Sequence, residues 1–293
     1  MNALRSLILF APLLASQIVA IGQDADTLWQ KGGNFNINFQ QVGFNNWANG
    51  GEAALTLGTV IDYSANYKDE NQTWKNSFQF AYGFQRKKDD SPRKNTDLII
   101  ISSEYGKNLT ESWQLTASVD FRTQIANGYK YADDNIPNDS LVSKFLTPAY
   151  LQPSLGIGYK KEAFSATISP IAAKLTIVTD DYLSSLGAYG VEPGKKIRSQ
   201  LGTNINLNYK KEIMENVTLK TNLLMFGDYN QFSYWDINWD LFIDFKINDF
   251  LSTNFLVQAI YDDDITGNSD DPAITGPALQ LRNVLNIGFN LKF

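Results

Sequence analysis

The chain has 293 residues, of which 43% are hydrophobic and 19% charged; its formal net charge is −6, and it contains no Cys and no His. The absence of these residue types excludes Ser-His-Asp and Cys-His nucleophile systems, ordinary zinc, haem, copper and iron–sulfur sites, and disulfides. The mild acidity argues against a nucleic-acid partner. The composition predicts a protein without cofactors, held together by burial and backbone pairing.

Residues 1–22 have the features of a secretory signal peptide. Arg5 supplies the positive charge, residues 7–14 form the apolar run, and Ala20-Ile21-Gly22 offers a small-x-small cleavage site. The apolar run is far shorter than the about 20 residues that a spanning helix needs, so we expect cleavage rather than anchoring. The mature domain is predicted to span residues 23–293.

Twelve segments of the mature chain read as β-strands, because apolar and polar residues alternate along them. The last strand has the clearest pattern, with every second residue from Leu279 to Phe293 apolar except Asn283. The pattern is least regular in residues 163–175, where Pro170 removes a backbone donor and Ile171 and Leu175 break the alternation. The predicted strands cover residues 33–42, 52–67, 73–85, 97–105, 113–125, 148–159, 163–175, 197–209, 217–226, 235–245, 251–261 and 278–293.

Short polar turns separate some of these strands, and long polar or Gly/Pro-containing loops separate the others. An even number of strands with this arrangement predicts an all-β fold, a single transmembrane antiparallel β-barrel. The barrel has to close, because an open sheet edge in hydrocarbon leaves backbone groups unpaired. A secreted β-sandwich is the alternative, but twelve strands with apolar outward faces provide more apolar surface than two packed sheets need.

The signal segment, the alternating last strand and the terminal Phe293 resemble those of Gram-negative outer-membrane barrels. In that class the C-terminal aromatic residue is an assembly signal. The segments WQKGG at residues 29–33 and FNNWANGG at 44–51 resemble an outer-membrane barrel family of unknown function. The resemblance implies a cell outer membrane location, contact with outer-membrane lipid, recognition by the barrel assembly machinery, periplasmic turns and extracellular loops. It implies no functional residues.

If one face of each strand contacts lipid, the other lines the lumen. Six acidic and five basic residues are predicted there, a near balance that fits ion pairs within the lumen as well as a track for solutes. Asp236, Asp240 and Asp244, spaced by four, are the best candidates for such a track. The lumen candidates are Asp62, Lys75, Glu104, Asp120, Arg122, Arg198, Lys220, Asp236, Asp240, Asp244 and Arg282.

The predicted surface loops hold two further kinds of candidate. Residues 262–271 contain five Asp and a Gly at the sixth position, as in a calcium loop, but Ala273 stands where the bidentate Glu is required. Either calcium binding or a solvated acidic loop is compatible with that pattern. Trp47, Tyr129 and Tyr182 are candidates for contacts with a sugar or a partner protein, or for packing into the mouth of the barrel.

Two functions are compatible with these features. One is a channel or facilitator for small polar solutes, and the other is a closed structural barrel that binds another envelope protein through its loops. An enzyme is not expected without His, although a carboxylate pair such as Asp120 and Asp236 would allow one if the two side chains converged.

Overall fold

The computed structural model describes residues 28–42, 54–87, 91–130, 140–263 and 276–293. The predicted signal peptide, Trp47, residues 264–271 of the acidic loop and Ala273 lie outside them. The described part contains fourteen strands. They are β1 (Trp29–Val42), β2 (Ala54–Lys68), β3 (Gln72–Lys87), β4 (Arg93–Asn108), β5 (Trp113–Thr123), β6 (Gly128–Lys130), β7 (Ser140–Ser143), β8 (Ala149–Lys161), β9 (Phe164–Ile177), β10 (Ile197–Met214), β11 (Val217–Asp228), β12 (Trp235–Lys246), β13 (Leu251–Tyr261) and β14 (Gln280–Lys292).

Twelve of these strands form a closed antiparallel barrel, which confirms the predicted fold. Neighbours in sequence are neighbours in the wall, except that β5 pairs with β8 and β14 closes the ring on β1. The short strands β6 and β7 form a separate hairpin within the connection between β5 and β8. A one-turn helix, α1 (Asp181–Ser185), lies between β9 and β10. Neither the hairpin nor the helix was predicted, because both belong to segments read from the sequence as loops.

The outer wall is apolar, as the alternation predicts. Leu201, Ile171 and Phe289 expose 65%, 65% and 69% of their surface although they lie within strands. Two polar side chains on this face are hydrogen-bonded to each other: the indole of Trp239 donates to Thr221 Oγ1 over 2.9 Å. An apolar outer wall without an open edge meets the two requirements of a transmembrane barrel. Among the described helical segments, none has the length and apolar character needed to cross a membrane.

A β-bulge causes the irregular alternation of apolar and polar residues in β9. Gly202 pairs with Ala172 and Asn204 pairs with Ser169, so that Thr203 alone faces both Pro170 and Ile171. Ser169 and Ala172 are buried, whereas Pro170 and Ile171 are both exposed on the outer side. A bulge leaves one residue without a ladder partner, which suits a proline. The extra residue also reverses the inward and outward positions in the rest of the strand.

The barrel closes at its C-terminus. Residues 34–38 of β1 pair with residues 288–292 of β14, and Gly33 and Phe293 exchange two backbone hydrogen bonds of 2.7 and 3.1 Å. The Phe293 ring lies over Gly33, where an added Cβ would come within 2.3 Å of the ring atom Cζ. Gly33 therefore provides the space that the terminal aromatic ring occupies.

Candidate functional site: the barrel lumen

An ion-pair cluster lies at the loop end of the lumen. The ammonium group of Lys174, near the end of β9, is 2.7 Å from a carboxylate oxygen of Asp236 and 3.0 Å from one of Asp262. The same ammonium lies 5.6 Å from the centre of the Tyr150 ring, close enough for a cation–π contact. We call Tyr150, Lys174, Asp236 and Asp262 the loop-end cluster.

This cluster joins parts of the wall that are not neighbours. Strands β10 and β11 separate β9, which carries Lys174, from β12, which carries Asp236, and Asp262 follows directly after β13. Side chains on such strands meet only by extending through the interior. The two ion pairs therefore cross one side of the lumen and narrow it near the long loops.

A second group of charges lies towards the short-turn end. Lys75 on β3 pairs with Glu104 on β4 at 2.5 Å, and Lys220 on β11 pairs with Asp244 on β12 at 2.5 Å. Both pairs join neighbouring strands along the wall.

Solvent exposure differs sharply between the two groups. The side chains of Lys75 and Lys220 expose 43% and 46% of their surface, although they point into the barrel. The side chain of Lys174 exposes only 5%, and those of its two Asp partners 12% each. The lumen is thus accessible to water at Lys75 and Lys220, whereas the loop-end cluster is largely shielded from water.

Amide side chains connect these charged groups. Gln258 donates to Asp240 over 2.8 Å, and Gln79 donates to Asp62 over the same distance. Asn222 donates to Asn206 and Asn208 over 2.9 and 2.7 Å. The lumen is not uniformly polar, because the inward positions of β11–β13 also hold Leu224, Phe226, Phe242, Leu256 and Ile260.

The segments between wall strands build a folded cap at the loop end. Val178, Leu183 and Val191 form its buried core, against which Leu141 and Tyr189 pack. Asp180 caps α1 by accepting a hydrogen bond from the Leu183 backbone. The Lys144 ammonium and that backbone N–H lower the pKa of Asp180. The Tyr189 hydroxyl donates to the Val142 carbonyl oxygen and so ties the cap to the β6–β7 hairpin.

The cap is expected to loosen in strong alkali. Burial raises the pKa of Tyr189 to about 12 from an ordinary value of 10. The neutral phenol therefore stabilises the folded cap fully below pH 10, and this contribution is lost as the pH rises through about 12. Ultraviolet titration of tyrosinate in the folded protein should show a component with a pKa of about 12 that disappears in Tyr189→Phe. Tyr182→Phe, which alters an exposed tyrosine of α1, should retain that component, and its loss there would contradict the assignment.

The remaining lumen residues predicted from the sequence lie in separate parts of the barrel wall. Asp120 lies opposite Ser102 in the wall, whereas Asp236 belongs to the loop-end cluster, so these two carboxylates do not form one pair. Arg122 lies opposite Tyr150 in the wall, and Arg198 lies opposite Thr176. The backbone of Arg282 on β14 pairs with that of Gln258 on β13, but the Arg282 side chain lies outside the described part of the structure.

The loop candidates are at the surface. Tyr129 lies in β6 and accepts a hydrogen bond from Asn127, and Tyr182 lies in α1 with 58% of its surface exposed. In the described residues no group of three or more acidic side chains is arranged as a metal site. Calcium binding by residues 262–271 stays a prediction, because residues 264–271 are not described.

Sequence reasoning missed Lys174, the centre of the loop-end cluster. Counting alternate positions from Ile168, which faces outward, assigns Lys174 to the lipid-facing side. The bulge at Pro170 and Ile171 instead turns it inward. The available signal was energetic, because a lysine that faces lipid is unfavourable, and a neighbouring proline allows a bulge that avoids this cost.

Comparison with known proteins gives a family of unknown function and several barrel structures. The family model described as "Protein of unknown function (DUF3078)" matches residues 39–129, a range that includes the segment at 44–51. None of the curated proteins compared with the chain matches it significantly.

Among similar solved structures, an outer membrane channel from Pseudomonas putida F1 has 9% identity and a TM-score of 0.41, covering 90% of this chain and 94% of the other. The translocator domain of the autotransporter NalP from Neisseria meningitidis has 11% identity and a TM-score of 0.39, covering 90% and 87%. A porin has 6% identity and a TM-score of 0.34, covering 90% and 100%.

Proposed function

We propose that the protein is a channel for small polar solutes in the outer membrane, with a hydrated vestibule on its turn side and a constriction on its loop side. The observation that supports this most directly is the high exposure of Lys75 and Lys220, which point into a closed barrel. Long charged side chains retain water in the lumen only where neighbouring groups do not fill it. A closed scaffold has no need of such a space.

The lining suits polar solutes because it replaces hydration with hydrogen bonds. Asp62, Asp240 and the Asn206–Asn208–Asn222 group supply carboxylate and amide oxygens along the wall. Because the lumen holds both acidic and basic groups, we expect only modest ion selectivity. The constriction at Lys174 then limits the size of the solutes that pass.

Electrical recording in a planar lipid bilayer tests this function. The purified, folded barrel should produce steady ohmic current steps, and Asp240→Asn should shift the reversal potential away from cation preference. Asp69→Asn, in the turn between β2 and β3, is the matched control and should leave the reversal potential unchanged. A correctly folded barrel that carries no current would contradict a channel.

A specific observation also favours a second function, a closed barrel that acts through its surface. The cap core of Val178, Leu183 and Val191, together with the buried ion pairs of Lys174, covers part of the loop end with ordered structure. Such a cap can present Tyr182 to another envelope protein. In that case the folded barrel should be electrically silent and should lose its partner in Tyr182→Ala.

A further inference from the structure

An apolar groove runs across the outer wall of the barrel. It has a volume of about 460 Å³ and is lined mainly by outward residues of five neighbouring strands, from β4 through β5, β8 and β9 to β10. At about 4.8 Å between neighbouring strands, it extends for roughly 19 Å. Its floor is low because three outward positions hold small or compact side chains, namely Ala117, Pro153 and Ala173.

The bulge in β9 provides the projecting side chains that form one edge of the groove. The extra residue places Ile171 outward, opposite Leu155, and these side chains expose 65% and 51% of their surface. Leu201 on β10 extends the same wall beside Ala173. The groove is therefore a product of the bulge and not a general property of the barrel surface.

The lower end of the groove lies at the level of the short turns. Tyr105 lines that end, three residues before the end of β4, and its hydroxyl donates to Gln72 over 2.7 Å. Lys107 follows two residues later on the same face and is exposed, and Trp113 beside the turn exposes 49% of its surface. Tyr, Trp and Lys at a strand end mark the level of lipid headgroups.

We propose that this groove binds one phospholipid from the leaflet at the turn side of the barrel. One acyl chain lies over Ala117, Pro153 and Ala173, and the headgroup phosphate is attracted by the Lys107 ammonium. The groove faces hydrocarbon, its lining is largely apolar, and Lys107 is an exposed cation at the headgroup level on the same face of β4. The inference rests on the membrane location of the barrel and is independent of whether the lumen conducts.

The groove can be filled without changing the lumen. In Ala117→Phe the new ring occupies the floor, whereas Ala259→Phe adds the same ring to the outer face of β13, on another part of the wall. The delipidated barrel in detergent is titrated with phosphatidylethanolamine and analysed by native mass spectrometry. Wild type and Ala259→Phe should each retain one lipid, and Ala117→Phe should retain it about tenfold more weakly. Lys107→Ala should weaken retention to a smaller extent.

Three results would overturn the proposal: equal retention by Ala117→Phe and wild type, unsaturable binding to all variants, or a barrel dimer that is lost in Ala117→Phe. The last would identify a second copy of the chain as the occupant. Heat-dependent electrophoretic mobility verifies that each variant is folded, and current recordings on the same samples test the channel separately. A silent barrel that still retains one lipid would contradict the proposed function and leave the lipid site supported.

Discussion

Replacing Lys174 with methionine is expected to raise the single-channel conductance several-fold and to increase cation preference. The substitution removes the ammonium group that is paired with both Asp236 and Asp262 and leaves these buried carboxylates without that partner. Removing one partner from a buried ion pair typically costs about 3–5 kcal/mol, because the remaining charge is uncompensated. Water then has to enter the loop end, and the constriction widens.

Two further variants make this prediction specific. Lys220→Met removes a lumen lysine from an exposed pair on neighbouring strands and should change conductance little. The triple variant Lys174→Met, Asp236→Asn, Asp262→Asn removes all three charges, whereas Lys174→Met removes only the positive one. The cation preference should therefore be lowest in the triple variant, intermediate in wild type and highest in Lys174→Met. Equal conductance of folded wild type and Lys174→Met would show that the loop-end cluster does not restrict the path.

Replacing Gly33 with valine is expected to reduce the yield of folded barrel severely. A Cβ at Gly33 would lie 2.3 and 2.5 Å from two atoms of the Phe293 ring and 3.0 Å from the Asp62 carbonyl oxygen. The terminal ring would have to leave its position, and overpacking of this kind typically costs about 1–3 kcal/mol. The loss falls on the β1–β14 junction, which in the described structure consists of five paired residues of each strand and the adjoining Gly33–Phe293 pair.

In vitro refolding into lipid vesicles, followed by heat-dependent electrophoretic mobility, measures this effect. Gly58→Val is the control, because a Cβ at Gly58 would come no closer than 3.7 Å to any neighbouring atom. The double variant Gly33→Val, Phe293→Ala should fold better than Gly33→Val and recover part of the yield of Phe293→Ala alone. The reason is that the clash between the new side chain and the terminal ring is then absent. Folding of Gly33→Val at the wild-type rate and yield would contradict the role assigned to this contact.

Most of the wall could be predicted from the sequence because its signal is local. Alternation with a period of two identifies a strand and its apolar side without reference to any other segment, as β14 illustrates from Leu279 to Phe293. An apolar face on every strand then requires hydrocarbon outside and closure of the ring. The sequence also showed where the alternation breaks down, at Pro170 and Ile171.

The candidate site was less predictable because it depends on contacts between distant segments. The partners of Lys174 are 62 and 88 residues away in the sequence, on parts of the wall that become close only when the barrel closes. The cap likewise depends on Val178, Leu183 and Val191 meeting, although each lies in a segment with no strand pattern.

By itself, the sequence determined the strands, their lipid-facing side and the closed barrel, because each follows from the order of apolar and polar residues along a short segment. Only the tertiary structure decided which charges meet in the lumen and which end of it is open to water. The physical reason is that a single extra residue in β9 reverses the faces of the rest of that strand, and that ring closure brings side chains from separated strands together.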